Sequence, residues 1–246
     1  MINIFPLSEG EFSIGRDKVF IPYPLATEDL QHSIKESLLI EIQPFLIQLN
    51  NELILLDTGL GFHLPNGELQ LHHNIKKCGF QPDQISKVII SHLHKDHAGG
   101  IVSLKNNSQW LSFINASYYV SKQEFIYSIQ NGTPSYVPQS LAILQNSNQV
   151  IWLDESGTIS ENISYEMSGG HCPHHIVIKI MDDRAIYFFG GDVAPQLNQL
   201  KYRYTAKYDY DGKRSSKLRK QYAVQGKNEN WTFLFYHDIK TPTSKL

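Results

Sequence analysis

Cysteine is nearly absent from this 246-residue chain. Cys78 and Cys172 are its only two, too few for a disulfide framework and suited, as reduced thiols, to the cytoplasm. Long apolar runs are also missing, so no membrane span is expected. The opening stretch "MINIFPLSEGEF" has neither the basic start nor the apolar stretch of a secretory signal. Excess charge is lacking too: the net value is −2 with histidine neutral, which gives no reason to expect a nucleic-acid or membrane partner. Repeats of fixed period and low-complexity linkers do not occur, so a single domain over residues 1–246 is expected. With 41% hydrophobic and 19% charged residues, the composition is that of a globular protein with a sizeable core.

The remaining basic stretch, residues 201–220, sets Lys201, Arg203, Lys207, Lys213, Arg214, Lys217, Arg219 and Lys220 against Asp209 and Asp211. It reads as a solvated helix face, with a patch for an anionic substrate as the alternative.

Apolar, β-rich runs dominate what is present. Residues 37–49 and 52–59 read as a hairpin across Asn50-Asn51, and residues 68–78 read as a helix ending at Gly79. "SKVIIS" (86–91) has the continuous apolar, β-branched character of a strand buried on both faces. Further strands are expected over 117–121, 149–154, 158–167, 175–183, 184–192 and 231–237, with a hairpin at Asp182-Asp183. Helices are expected over about 122–130, introduced by the Ser121/Glu124 capping-box pattern, and over 138–146 and 215–224. Strands interspersed with helices, with polar residues at several strand ends, suit a layered α/β architecture that gathers ligands at one edge.

One such end is the segment "SHLHKDHAGG" (91–100), where three histidines and an aspartate fall within six positions. In an extended segment residues two apart point the same way, so His92 and His94 can reach one ion. Asp96 and His97 follow where the chain turns through Gly99-Gly100 and can face a neighbouring point. His171 in "SGGHCPHH", Asp192 after "YFFGG" and His237 after "FLFY" sit at other strand ends. Together these are five imidazoles and two carboxylates, enough for two ions if one carboxylate bridges.

At these residues the chain resembles the metallo-β-lactamase superfamily, whose signature is His-x-His-x-Asp-His and whose five ordered motifs are matched by Asp57 in "LLDTG", residues 92–97, His171, Asp192 and His237. The resemblance covers about residues 37–238. It implies an α/β fold of the four-layer αββα sandwich type, with metals in a groove along the edges of two facing sheets. It also implies that His92, His94 and His171 hold one ion, that Asp96, His97 and His237 hold the other, and that Asp192 bridges them. The segments "SHLHKDHAGG" and "FFGGD" look closest to the lactonase-like and organophosphate-hydrolase-like branch. Quorum-signal lactonases of that branch carry a carbonyl-positioning Tyr three residues after the bridging Asp, where this chain has Pro195; Tyr202, Tyr204 or Tyr208 could substitute. The carboxylate of Asp192 stands where β-lactamases put Cys or Ser, and His94 stands where the flavodiiron branch has Glu, which argues against both activities.

The expected chemistry is a dinuclear hydrolase in which a metal-bridging hydroxide cleaves a small ester, lactone or phosphotriester. Zinc is the default metal, with Mn²⁺, Fe²⁺ or Co²⁺ also suited to a His/Asp site. Asp192 and Asp96 are the expected catalytic carboxylates, Asp96 as proton acceptor. Asp57 and Asp238 are expected to support ligand histidines, whereas Cys172 is expected to pack rather than ligate. His32, His63, His72 and His73 are expected at the surface, and His174 and His175 are expected to shape the loop around His171. Competing readings are a thioester hydrolase, an RNA-processing phosphodiesterase and a metal-stabilised binding module. The partner is expected to be a small molecule. The substrate pocket is expected from loops near 20–35, 60–68, 130–140 and 195–212, and the aromatic-rich stretch 201–210 could equally serve a homodimer contact.

Overall fold

The structure, a computed structural model, describes residues 2–23, 37–105 and 108–246. In its first half, strands β1 (Ile2–Pro6), β2 (Gly10–Ile14), β3 (Phe20–Pro22), β4 (Leu38–Ile42), β5 (Phe45–Leu49) and β6 (Glu52–Leu56) precede helix α1 (Gln70–Lys77). Strand β7 (Ile85–Ile89), helix α2 (Lys95–Ala98), strands β8 (Val102–Lys105), β9 (Ser108–Leu111) and β10 (Ser117–Ser121), helices α3 (Lys122–Asn131) and α4 (Pro138–Leu141) and strand β11 (Val150–Leu153) complete it. The second half runs β12 (Gly157–Ser160), β13 (Ile163–Met167), β14 (Ile176–Met181), β15 (Ile186–Phe189), α5 (Leu197–Lys201), α6 (Gly212–Asn228), β16 (Thr232–Leu234) and β17 (Thr243–Ser244).

Two six-stranded sheets result, ordered β1-β5-β6-β7-β10-β11 and β12-β13-β14-β15-β16-β17, beside a small β3-β2-β4 sheet and the β8-β9 hairpin. The continuously apolar strands explain the layering. Alternate residues of a strand face opposite sides, and here both sides are buried: Leu53, Leu55 and Val88 pack towards the helices with Leu71, Ile75 and Phe125. Ile54, Leu56 and Ile89 pack between the sheets against Ile176, Ile178 and Ile180. On the far side Val177, Phe188 and Phe233 meet Tyr222. Three apolar layers separated by two sheets and flanked by helices make the αββα sandwich that the motifs implied.

Several boundaries differ from the sequence expectation. The run 37–49 is two strands in different sheets, because Pro44 lacks an N–H for a ladder and its carbonyl instead accepts the Leu7 N–H. The turn at Asn50 forms as expected, with φ +54 at Asn50 and Leu49 opposite Glu52. The stretch 158–167 is a β12–β13 hairpin rather than one strand. The helix expected over 138–146 is a short α4 continued by a 3₁₀ segment, Ala142–Asn146. The last helix begins earlier, at Gly212, because the Asp211 carboxylate accepts the Arg214 N–H as its cap. Strand β16 stops at Leu234, so residues 235–237 leave the sheet. Among the described residues no helix is long and apolar enough to cross a membrane.

Candidate metal centre

The "SHLHKDHAGG" segment leaves β7 at Ile89 and turns into α2, whose single turn carries Asp96 and His97. Gly99 and Gly100 let this turn lie directly on the loop after β6: a Cβ on Gly99 would run into the Leu60 carbonyl, and one on Gly100 into that of Thr58. The Thr58 N–H and hydroxyl both bond the His97 carbonyl, at 2.7 and 3.0 Å. Asp57 therefore arrives beside His97 at the head of the parallel β6–β7 pair. From the second sheet come His171, in the β13–β14 connection, and Asp192, in a 3₁₀ turn, Gly191–Val193, just after β15. His237 follows β16, and its N–H donates to the Pro195 carbonyl.

The structure brings all seven expected ligand residues together at the sheet edges, in the groups His92/His94/His171, His92/His97/Asp192 and Asp96/His97/His237. His94 Nδ1 lies 3.0 Å from both His92 Nε2 and His171 Nε2. Asp192 faces two ways: Oδ2 is 3.2 Å from His171 Nε2, while Oδ1 is 3.2 Å from His97 Nε2 and 3.0 Å from His237 Nε2. Asp96 Oδ2 stands 3.5 Å from His237 Nε2 and 3.8 Å from His97 Nε2.

Proton positions at four imidazoles are fixed from outside. His97 Nδ1–H donates to Asp57 Oδ2 at 2.7 Å, and His237 Nδ1–H donates to the Glu41 carbonyl at 2.7 Å. His171 Nδ1–H donates to Asp209 Oδ1 at 3.0 Å. The Ser91 hydroxyl donates to Asp57 Oδ2 at 2.7 Å, so its oxygen is free to accept His92 Nδ1–H at 3.1 Å. Each Nε2 then points inward, the nitrogen left to bind a metal when Nδ1 carries the outward proton. Burial, aided by neighbouring imidazoles, holds His92 and His94 well below the usual histidine range. Burial opposes charge on Asp192, but His237, His97 and His171 outweigh it and hold the carboxyl well below the usual carboxylate range. His97 Nε2 and Asp192 Oδ1 are buried, and among the described residues neither has a partner in hydrogen-bonding alignment despite their 3.2 Å approach. Burial opposes charge on His97 and His237 as well, but Asp192 outweighs it and holds His97 well above and His237 above the usual histidine range; divalent cations would take the place of those inner protons, and an all-nitrogen and oxygen donor set suits zinc, manganese, iron or cobalt.

Other expected residues fall as follows. Asp57 is fully buried and also accepts the Ser91 N–H at 2.7 Å. Asp238, expected beside a ligand histidine, instead accepts the N–H groups of Leu197, Lys240 and Thr241; it ties down the turn around His237 and the loop after Pro195. Cys172 packs, as expected, and its buried thiol donates to Glu124 Oε1 at 3.2 Å. Of the three tyrosines weighed against Pro195, Tyr208 lines the cavity over the centre, whereas Tyr202 and Tyr204 are exposed and do not. His63, His72 and His73 do not line it, and His32 lies outside the described residues.

Sequence reading missed three supports and gave a fourth, His175, only its loop-shaping place. Asp209 is one; its Oδ2 also pairs with Arg219 Nη2 at 2.9 Å. Arg219 is therefore buried rather than part of a solvated face, and donates further to the carbonyls of Val193 and Tyr204. His175 is fully buried and its Nε2 accepts the Asp192 N–H at 3.1 Å while Nδ1–H meets Ser168 Oγ at 2.9 Å. Glu124 does less capping than the sequence pattern suggests. Its N–H meets Ser121 Oγ, but its carboxyl gathers the Cys172 thiol, the Tyr136 hydroxyl and the Leu93 N–H beneath the first ligand group. Tyr236 stacks on His97 at 4.0 Å and donates its hydroxyl to the Asp96 carbonyl at 2.6 Å. The last had only its place beside His237 as a signal.

The centre opens into a cavity of about 850 Å³ lined by Ile14, Phe20, Leu38, Ile40, Tyr127 and Tyr210 among others, the size of a small-molecule pocket.

The profile of the metallo-beta-lactamase superfamily matches residues 42–230. The N-acyl homoserine lactonase AiiB of Agrobacterium fabrum (strain C58 / ATCC 33970) is 26% identical over 115 residues, 39% of this chain and 42% of the relative. The match thus spans about two fifths of that relative's length. Among solved structures, a probable metal-dependent hydrolase from Staphylococcus aureus superposes with a TM-score of 0.81 at 21% identity, covering 99% of this chain and 92% of the other. The dizinc quorum-quenching lactonase AidC superposes with a TM-score of 0.76 at 20% identity, covering 99% and 90%. At these identities the two structures speak to the shared fold.

Proposed function

The chain belongs to the metallo-beta-lactamase superfamily, and from that premise we propose that it is a hydrolase that uses two divalent cations, zinc by default, to cleave a small ester, lactone or phosphotriester. The observation that carries this reading is the two-faced carboxylate of Asp192, with one oxygen towards His171 and the other towards His97 and His237. A site for a single ion needs no such bridge. His92, His94 and His171 would hold one cation and Asp96, His97 and His237 the other. Bound there, the cations supply Lewis acidity, lowering the pKa of water at the centre to about 7 and polarising a carbonyl or phosphoryl oxygen.

The chain's own groups do the rest. Asp57, Ser91, Glu41 and Asp209 hold the imidazole protons outward, so the inner lone pairs keep their aim. Asp96 lines the cavity and would accept the proton of the attacking oxygen and pass it to the leaving oxygen as a tetrahedral intermediate collapses. Tyr208, whose phenol is raised by burial and by the Asp192 charge, stays protonated and can donate a hydrogen bond to a substrate oxygen, in place of the tyrosine absent at Pro195. The AiiB and AidC likenesses make lactones the first substrates to test. A cavity of bounded volume, together with Arg219 turned inward, favours a small molecule over RNA.

The reading is tested by removing metal with a chelator and restoring Zn²⁺ or Mn²⁺ while following lactones, esters, thioesters and phosphotriesters. Loss and recovery of turnover on lactones or esters is the expected result. No turnover on any of the four classes with two ions bound contradicts it and favours a binding module. With both ions in place, Asp96→Asn is expected to slow turnover by roughly 10²-fold or more; unchanged turnover removes Asp96 from that role.

A further inference from the structure

The cavity wall is electrically lopsided. Of the described carboxylates only Asp96 and Asp192 line it, and both belong to the ligand cluster. Lysines 18, 95 and 207 line it as well, and none of them forms an ion pair with a described carboxylate. Nearby acids are engaged elsewhere: Asp17 caps the Val19 N–H and does not line the cavity, and Asp209 is shared by His171 and Arg219.

Two of these cations line the cavity next to Tyr208, Lys18 by contact with its ring and Lys207 as its chain neighbour. Lys18 sits half-buried in the β2–β3 turn, held by its N–H to the Gly15 carbonyl at 3.2 Å. Its Nζ lies 5.5 Å from the centre of the Tyr208 ring. Lys207 precedes Tyr208 in the chain and lines the same cavity. Tyr208 in turn packs 6.0 Å from His171. The lining also includes the apolar Ile14, Leu38 and Ile40, from the small sheet whose β2–β3 turn carries Lys18. An ammonium parked over an aromatic ring gains only a weak attraction, so it is available to a stronger partner.

We propose that the cavity selects substrates that carry an anionic group, a carboxylate or phosphate, on an apolar arm, and that Lys18 and Lys207 bind that group beside Tyr208. This rests on the hydrolase reading above and names its substrate class. Because the lysines stand apart from the ligand residues, the anion is bound at the wall while the scissile group faces the centre.

Zinc-loaded protein is assayed on two pairs in which a methyl group is exchanged for a carboxylate: p-nitrophenyl butyrate against mono-p-nitrophenyl succinate, and γ-valerolactone against γ-carboxy-γ-butyrolactone. The expected kcat/KM favours the anionic member by about tenfold at low ionic strength, and the preference shrinks towards one near 0.5 M salt, where the Debye length is only about 4 Å. In K18Q/K207Q the anionic-to-neutral ratio falls at least about fivefold, since attraction to the ions themselves is retained. In a readout without turnover, hexanoate but not hexanamide slows amine-directed acylation of Lys18 and Lys207 in the metal-free protein, followed by mass spectrometry. A ratio near one, a ratio that survives K18Q/K207Q, or equal labelling with both additives overturns the inference. Hydrolysis of neither pair, with selective protection by hexanoate intact, overturns the hydrolase reading instead.

Discussion

His97 and His237 are braced by groups that belong to the sheets, whereas His171 is braced by a residue from the connection between α5 and α6. On the first flank Asp57 follows β6 directly and the Glu41 carbonyl lies within β4; both are buried, and Tyr236 closes over His97. On the other flank Asp209 sits in a stretch whose neighbours Tyr202, Arg203, Tyr204 and Thr205 are exposed, and it is held by Arg219 from α6. The contrast teaches that one half of the centre is set by the sandwich itself, while the other also depends on a loop docking against it. Asp192 touches both halves, with one carboxylate oxygen towards each.

The comparison can be broken most completely at that shared residue. Asp192→Ala is expected to weaken both ions and to reduce turnover by roughly 10³-fold or more; a variant that still binds two zinc ions with wild-type affinity, measured by competition with a chromophoric chelator, contradicts the bridging role. Next in size is Asp57→Asn. Asp57 orients His97 directly and His92 through Ser91, so affinity at both positions should fall about 10- to 100-fold. Asp209→Asn sharpens the contrast: about tenfold weaker binding of one ion is expected, with the other unchanged. Equal weakening of both ions by Asp209→Asn would show that the flanks are not separately braced.

The smallest effect on activity is expected from Glu9, beneath the sheet-built flank. Its Oε2 accepts the Leu60 N–H at 2.7 Å and its Oε1 has no hydrogen-bond partner among the described residues. Burial pushes its carboxyl from 4.5 up to about 8, against the opposing pull of the Leu60 hydrogen bond. The folded state then keeps a proton that the unfolded chain releases. The resulting contribution to stability is intact below pH 4.5, declines as pH rises and is gone above about 8. Glu9→Gln lacks this dependence. Urea unfolding should find the variant gaining on the wild type between pH 5 and 8, by on the order of 3–5 kcal/mol; parallel pH profiles for the two proteins would contradict the shift.

The same contrast marks what could be read from sequence. The cluster 92–97 is local, so residue type and spacing announce it, and His171, Asp192 and His237 follow from the order of motifs around it. Asp57 is legible because it ends an apolar strand. The supports of the other flank leave no such trace. Asp209 acts across 38 residues on His171 and is embedded in a basic stretch that suggests a solvated surface. The Glu41 carbonyl is main chain and has no residue signature. His175 and Glu124 act through contacts made only when loops meet. The layering was legible from doubly buried apolar runs such as Val88 and Ile89, which face different cores. Strands β1–β3 were not, because they are short and mix buried with exposed positions.

Anomalous diffraction from crystals grown with zinc tests the central claim most directly. Two peaks are predicted, one enclosed by His92, His94, His171 and Asp192, and one by Asp96, His97, His237 and Asp192. A single peak, or none within reach of Asp192, would contradict it.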